Sequence, residues 1–281
     1  MTRSTHNVGL ALVACALLAA SACGGTATDG AASPDGATPR AKDASPCNAT
    51  STPSEPDATA SPVLHPFPGA DEFVSEIDNP YLPLEPGTQW VYESISTEGD
   101  ERIVVTVTDR TREIDGVTAT VVRDTVTQAG EVIEDTRDWY AQDADGNVWY
   151  LGEYSESYED GKTSTEGSWE AGKDGAKAGI VMLAHPKPGD AYQQEYYKGH
   201  AEDVGEVLGV DATASVPIGY FDTMVKTADY TPLEPDVLEQ KYYAAGIGFV
   251  YEEMIRGGDD RVGLVKMTRR DGPVGPFSLC D

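Results

Sequence analysis

One short segment carries oxygen ligands at a spacing that suits a metal ion. Asp143, Asp145 and Asn147 alternate along Asp143-Ala144-Asp145-Gly146-Asn147, as ligands do at the start of a calcium-binding loop. The calcium pattern is incomplete. It requires a third acidic ligand before the glycine, but Gly146 already follows Asp145, and it requires a glutamate six residues after the glycine, where residue 152 is glycine. An Asp-Gly pair between two Trp-Tyr runs is typical of a hairpin turn. We therefore expect a turn here, with calcium binding by Asp143, Asp145 and Asn147 as the alternative.

No other segment carries a motif with a defined chemistry. The sequence lacks the nucleophile elbow G-x-S-x-G, the S-x-x-K pair, the zinc-binding H-E-x-x-H pattern, the phosphate-binding loop and the dinucleotide fingerprint. The histidines are scattered, and His200 beside Glu202 and Asp203 in a loop does not define an acid–base pair. We predict no catalytic residue, no cofactor-binding residue and no cofactor.

The first residues have the pattern of a secretion signal. Arg3 is followed by an apolar run over 8–20, which is shorter than the ~20 residues that a membrane-spanning helix needs. A basic start, a short apolar core and small residues at its end are typical of a signal peptide. We expect residues 1–22 to be removed on export.

The end of this signal resembles the lipobox of bacterial lipoproteins, on the residues Ala20-Ser21-Ala22-Cys23. The resemblance implies that Cys23 carries a diacylglyceryl group and that the chain is cut before it. The new amine can take a further acyl chain such as palmitate. Two or three acyl chains anchor a protein stably, because each buried CH₂ contributes about 0.8 kcal/mol. We expect the membrane to be the partner of this protein, which the lipid on Cys23 anchors to the outer face of the bacterial cell membrane. The alternative is an ordinary signal peptide that leaves Cys23 as a free thiol.

Residues 24–62 are mostly Ala, Thr, Ser, Gly, Pro and Asp, a composition that cannot offset the entropy of ordering. We assign residues 23–62 to a lipidated, disordered tether and 63–281 to a single acidic domain. Once Cys15 leaves with the signal and Cys23 is lipidated, Cys47 and Cys280 remain. Export implies an oxidising compartment, so we predict that Cys47 and Cys280 form a disulfide. Two free or metal-binding thiols are the alternative.

The charge of the chain excludes one class of partner. With 20 Lys and Arg against 48 Asp and Glu, the formal net charge is −28. Such a protein is repelled by nucleic-acid phosphates, so we expect no nucleic-acid partner. Cations, basic peptides and neutral ligands are compatible with this charge, and so is solubility alone. We leave the ligand unknown and expect a monomer.

The domain shows short β-branched and aromatic runs, separated by Gly, Asp and Pro. This pattern predicts antiparallel hairpins, and no long stretch has helical periodicity. The fold class is mainly β, an antiparallel meander forming an open or closed barrel or half-barrel, with one or two short helices. A helix is expected over 70–77. Strands are expected at Gln89–Ile95 and at 102–108, 117–126, 132–141, 147–154, 163–169, 190–197, 204–210, 220–227, 238–244, 249–255 and 261–268.

Four of the expected strands carry adjacent aromatic residues: Trp139-Tyr140, Trp149-Tyr150, Tyr196-Tyr197 and Tyr242-Tyr243. Neighbouring residues in a strand point to opposite faces, so each pair should place one ring inside and one outside. Trp139 and Trp149 flank one turn and could form a cross-strand pair. The outer rings must then be covered, exposed to a ligand, or left at the surface.

Three segments, 79–90, 138–150 and 241–248, resemble segments of uncharacterised exported bacterial proteins. The arrangement is also similar to the open half-barrel of lipoprotein carriers such as LolA, an analogy of architecture only. The sequence favours a non-enzymatic binding or structural module, with an apolar or sugar-binding cleft as its narrower form. The alternatives are a hydrolase that uses a carboxylate pair on cell-wall or sugar polymers, and a calcium-dependent adhesion or sensor module.

Overall fold

The computed structural model describes residues 61–97 and 99–275. Cys23, Cys47 and Cys280 lie outside the described residues, so the lipid attachment and the disulfide stay predictions. The described chain forms the strands β1 Phe73–Val74, β2 Gln89–Ile95, β3 Glu101–Ile114, β4 Val117–Gln128, β5 Glu131–Asp143, β6 Val148–Glu159, β7 Lys162–Ser164, β8 Trp169–Glu170, β9 Lys177–Met182, β10 Ala191–Gln193, β11 Glu195–Tyr196, β12 Val204–Val216, β13 Gly219–Tyr230, β14 Leu238–Ala244, β15 Gly248–Arg256, β16 Arg261–Arg269 and β17 Gly272–Val274.

Two meanders make up most of the sheet. Strands β2 to β6 pair in sequence order, each antiparallel to the next, and so do β12 to β16. Several links are two-residue turns in which both residues have positive φ, such as Asp115-Gly116 at 48° and 82°. Such turns match the right-handed twist of the strands they join. The predicted mainly β, antiparallel fold is confirmed.

The two meanders join into a nearly closed barrel. On one side β16 pairs with β2 along most of its length. On the other side the contact is short. Strand β9 pairs with β6 and, over Glu195–Tyr196, with β11, while the preceding residues of β10 pair with β12. We call the segment 191–196 the seam, because it closes the barrel through pairings of only two and three residues.

The helix expected over 70–77 is not formed. The chain makes one 3-10 turn at Ala70–Glu72 and then enters β1, where Phe73 pairs with Asp143. The Phe73 ring lies 6.4 Å from the ring of Trp149. This pairing and packing hold the segment extended and override its local helix pattern. Within the described residues, no helix is long and apolar enough to cross a membrane.

The barrel interior has two halves of different chemistry. The half formed by β16, β2, β3 and β4 is mainly apolar, and its buried residues include Trp90, Tyr92, Ile103, Val105, Val107, Val122, Val126, Val262, Leu264 and Met267. The other half, formed by β5, β6, the seam and β12 to β15, carries many of the buried carboxylates. The second half therefore contains most of the buried titratable groups of the interior.

Candidate functional site

Alternation along the strands places acidic residues inside the barrel. In β5, Glu134, Thr136, Asp138 and Tyr140 share one face, and Asp138 lies directly opposite Glu153 of β6. In β14, Glu239 and Lys241 share the inner face with Tyr243. The inward carboxylates are each no more than 6% exposed: Asp124, Glu134, Asp138, Glu153, Glu195, Asp203, Asp229, Glu239 and Glu252. Burying carboxylates is costly unless protons, cations or hydrogen bonds compensate for the lost water.

Part of this acidity surrounds a buried lysine. We call Asp203, Asp229, Glu239, Lys241 and Glu252 the lysine cluster. The Lys241 Nζ lies 3.4 Å from an Asp229 oxygen and 3.8 Å from one oxygen each of Glu239 and Glu252. Burial alone would lower the pKa of the Lys241 ammonium, but the charges of Asp229, Glu252 and Glu239 outweigh burial and raise it. Lys241 therefore stays charged and serves as the counterion of this cluster.

A second group of carboxylates faces aromatic residues instead. We call Asp138, Tyr140, Tyr150, Glu153, Trp169 and Glu195 the tyrosine cluster. The Tyr140 and Tyr150 rings stack with centroids 5.0 Å apart, and the Trp169 ring meets Tyr150 edge-on at 5.4 Å. The Tyr150 hydroxyl donates a 2.8 Å hydrogen bond to Asp138. Glu195, on the seam, faces Asp203 and Glu153 and so stands between the two clusters.

Burial raises the pKa of Asp138, Glu153 and Glu195 in the tyrosine cluster and of Asp203, Glu239 and Glu252 in the lysine cluster. Desolvation raises the pKa of Asp138 to about 7, against the hydrogen bond from Tyr150. It raises that of Asp203 to about 8, although the charge of Lys241 opposes the rise. The pKa values of Glu153 and Glu195 lie well above their ordinary value, because desolvation is reinforced by the neighbouring carboxylates. Near and below neutral pH these carboxyls bind protons that solvated carboxyls have lost, unless a cation replaces the protons.

The tyrosine cluster leaves hydrogen-bonding capacity unused. The Tyr140 hydroxyl is fully buried and has no hydrogen-bond partner among the described residues. Neither oxygen of Glu195 accepts a hydrogen bond of normal geometry, although the Trp169 indole N–H faces it. Buried polar groups are hydrogen-bonded in the great majority of cases. These atoms therefore mark the place in the described interior where an additional molecule would find polar partners.

The turn considered for calcium is tied into the protein by its own hydrogen bonds. Asp143 accepts hydrogen bonds from the Asn147 backbone N–H at 2.8 Å, the Asn147 amide at 2.9 Å and the Trp149 indole at 2.7 Å. Asn147 Oδ1 accepts the backbone N–H of Ala184 at 2.9 Å. In 61–97 and 99–275, no three His, Cys, Asp or Glu side chains converge in a way that could hold a metal ion. Calcium binding at Asp143, Asp145 and Asn147 stays a prediction.

Three of the four aromatic pairs divide between the two faces as expected. Tyr140, Tyr150 and Tyr243 point inward, and their outward neighbours are covered by other parts of the protein. The Arg112 guanidinium lies 4.1 Å from the centroid of Trp139, Phe67 packs edge-on against Trp149, and Lys226 lies over Tyr242.

Two expectations about the aromatic pairs are wrong. Trp149 lies opposite Ala141 and not opposite Trp139, because the turn that links β5 to β6 pairs Gln142 with Val148 and therefore Ala141 with Trp149. The pair Tyr196-Tyr197 has no deeply buried member, since Tyr196 lies under Lys177 and Tyr197 stacks on His200.

Surface clefts are present where the N-terminal segment crosses the barrel. One of about 650 Å³ is lined by His65, Asp145, His185 and Asp190 among others, and two more measure about 510 Å³ each. Trp139, Trp149 and Tyr242 line none of the three. The outward aromatics thus form wall and packing here, and the clefts are shallow and mixed in polarity.

The inward carboxylates are not among the site residues predicted from the sequence. On a chain with a net charge of −28, an acidic residue in a strand is expected on the solvated face. A partial signal was available in the alternation Glu134, Thr136, Asp138, Tyr140, which places three polar residues on the same face as one ring of the Trp139-Tyr140 pair. Alternation alone does not tell which of the two rings lies inside.

Comparisons with known proteins give a distant likeness only. No protein-family model and no curated protein matches the sequence. Among solved structures, a proposed exported protein with a YmcC-like fold from Bacteroides fragilis is 17% identical, with a TM-score of 0.42 over 67% of this chain and 99% of that chain. A proposed lipoprotein from Parabacteroides distasonis is 13% identical, with a TM-score of 0.41 over 67% and 98%. Likenesses at this level define no family and carry no argument about function.

Proposed function

We propose that this chain is an exported bacterial lipoprotein, anchored through Cys23, whose barrel binds a ligand in its interior without catalysing a reaction. The signal peptide, the lipobox-like end and the tether support export and anchoring. The observation that carries the binding role is the tyrosine cluster, where the Tyr140 hydroxyl and the Glu195 carboxylate are buried without normal hydrogen bonds. A ligand that supplies these partners would remove the cost of burying the two groups without hydrogen bonds.

The deep burial of the facing carboxyls argues against the carboxylate-pair hydrolase. Asp138 and Glu153 lie opposite each other and have the raised pKa values found in acid catalysts. Each is, however, only 3% exposed, and a polymer must lie in an open groove between the two carboxyls to be cleaved. A small molecule that enters when the seam opens meets no such requirement.

The anchoring is tested with a Cys23→Ala variant of the full chain expressed in its own host. Wild-type protein should take up labelled palmitate and remain with the membrane fraction, while Cys23→Ala should lose the label. Cys15→Ala is the matched control and should behave as wild type, because Cys15 leaves with the signal. Labelled Cys23→Ala, or unlabelled wild type, would refute the lipid anchor.

The interior binding is tested on protein purified from the envelope without denaturation. Native mass spectrometry should show an added mass that disappears when the protein is unfolded. Glu195→Gln should carry less of it. Glu206→Gln is the matched control. Glu206 is about as buried as Glu195, but it lies opposite Ala228 on the face of β12 that points away from the barrel interior. An added mass that Glu195→Gln retains in full would place the ligand elsewhere. If no mass is added and no compound in the series below stabilises the protein, the proposed binding role is wrong.

A further inference from the structure

We propose that the tyrosine cluster binds the alkylammonium group of a small organic cation. This inference rests on the proposed interior binding and names the chemical class of its ligand. It is drawn from a comparison within the barrel, because the lysine cluster already shows how this interior holds an ammonium group.

Lys241 is the internal model for the ligand. Its side chain is 1% exposed, and carboxylates on three strands approach the ammonium, from Asp229, Glu239 and Glu252. Its three N–H donors and one positive charge are thus matched by several carboxylate oxygens. A primary amine of a ligand has the same head group as this side chain.

The tyrosine cluster has comparable carboxylates and no such cation. Asp138 of β5 lies directly opposite Glu153 of β6, and the charges of both act on Glu195 of the seam. The charges of Glu134, Asp124 and Asp203 reach the same cluster from its margin. The cations on neighbouring elements are directed outward, with Arg112 on Trp139 and Lys177 on Tyr196. Among the described residues, the cation whose charge reaches the margin is Lys241, through Asp203.

The aromatic residues select an organic cation. The stacked Tyr140 and Tyr150 rings and the edge-on Trp169 ring give the cluster aromatic faces beside the carboxylates. Aromatic faces attract ammonium and quaternary ammonium groups, most strongly when water is excluded. The Tyr140 oxygen, which has no hydrogen-bond partner within 61–97 and 99–275, and the two Glu195 oxygens are acceptors for the ammonium N–H groups.

The seam provides a way in. Glu195 lies on β11, which is held to β9 by two residue pairs, while β10 is held to β12 by three. Short ladders open at lower free energy than long ones, so this side of the barrel should open more readily than the side where β16 meets β2. Opening the seam moves Glu195 itself and exposes the cluster behind it.

The test is a thermal-shift and calorimetric series on the mature protein, with putrescine, spermidine and tetramethylammonium as probes. Butane-1,4-diol is the neutral match for putrescine, and CaCl₂ and MgCl₂ supply charge without an alkyl chain. At ~100 times its Kd, a ligand should raise Tm by several degrees. Putrescine should do so and the diol should not. Binding should strengthen from pH 6 to pH 8, because Asp138, Glu153 and Glu195 must lose protons to receive the cation, with Glu134, Asp124, Asp203, Tyr140 and Tyr150 as the other titratable groups facing them.

Two variants locate the site. Glu195→Lys places an ammonium in the cluster from within, so it should raise the Tm of the ligand-free protein and abolish the response to putrescine. Glu195→Gln removes one carboxylate and should weaken putrescine binding at least tenfold. It carries the test if Glu195→Lys does not fold. A wild-type response in Glu195→Gln would overturn the assignment to this cluster.

The outcomes separate this inference from the proposed function. An added mass in native protein that is not an amine, or stabilisation by metal ions and not by amines, would overturn the alkylammonium assignment and leave interior binding intact. No added mass together with no stabilisation by any probe would overturn both.

Discussion

The lysine cluster and the tyrosine cluster lie in the same barrel interior and differ in what balances their carboxylates. In the first, Lys241 supplies a permanent charge, held by Asp229, Glu239 and Glu252 at 3.4 to 3.8 Å. In the second, Asp138 accepts a hydrogen bond from the neutral Tyr150 hydroxyl, and balance must come from protons or from a bound cation. A buried charge with its own counterion is a structural element, whereas one without it makes the protein responsive to pH and to ligands.

Removing the lysine should have the largest effect, because it makes the first cluster resemble the second. Lys241→Met leaves the surrounding carboxylates without their cation, and breaking a buried ion pair costs about 3–5 kcal/mol. Urea unfolding at pH 8 should show this loss, with partial recovery at pH 5, where the carboxyls take up protons.

The control for this change is Lys226→Met, since Lys226 is buried on the opposite face of the sheet, over Tyr242. It should cost less and show no comparable recovery at pH 5. If the two lysine variants are equally stable at pH 8, the lysine cluster does not depend on its cation.

The pH dependence of the ligand-free protein should show the second-largest effect. The folded-state pKa values of Glu134, Asp138 and Glu239 are raised to about 7, from 4.5, 3.8 and 4.5. Between about pH 4 and pH 7 the folded protein holds protons that the unfolded chain has lost. The free energy of unfolding is therefore highest below about pH 4 and falls as the pH rises through 7. Each unit of pKa corresponds to about 1.4 kcal/mol, and the loss from pH 5 to pH 8 should be on the order of a few kcal/mol.

Urea midpoints at pH 5, 6, 7 and 8 measure this loss. Glu195→Gln removes one titrating carboxyl from the tyrosine cluster and should flatten the curve. A stability that increases from pH 5 to pH 8 would contradict the raised pKa values.

The smallest effect should distinguish the two stacked tyrosines. Tyr150→Phe removes the hydrogen bond to buried Asp138 and should cost about 1–2 kcal/mol. Tyr140→Phe removes a hydroxyl that has no partner, so it should cost nothing or stabilise the ligand-free protein slightly. Equal losses in the two variants would mean that Tyr140 has a partner, such as ordered water, that is as good as that of Tyr150.

Local patterns in the sequence predict the strands well and the interior poorly. The turns at Asp115-Gly116 and Asp143–Asn147, the β-branched runs and the aromatic pairs are local signals, and the structure follows most of them. The exceptions are the helix expected over 70–77, the details of Trp149 and Tyr196-Tyr197, and the strand expected over 163–169, where only Lys162–Ser164 and Trp169–Glu170 are extended. Strand β9, Lys177–Met182, was not expected. Which face of a strand lies inside a barrel depends on how distant strands pair. Glu153 meets Glu195 and Asp203 only because β6, β9, the seam and β12 come together, and no local pattern specifies that order.

The N-terminal segment joins the barrel at the seam. Val63 donates its backbone N–H to Ala191 and accepts that of Gln193, both at 3.0 Å, and so lies as a parallel addition beside β10. Phe67 and Phe73 fix the next turns of this segment onto Trp149. The chain that leads to the predicted lipid anchor therefore leaves the domain along the strand segment that closes it. With the predicted anchor in place, a pull between the membrane and the domain would act as a shearing load on these two hydrogen bonds, so tension on the chain would be linked mechanically to access to the interior.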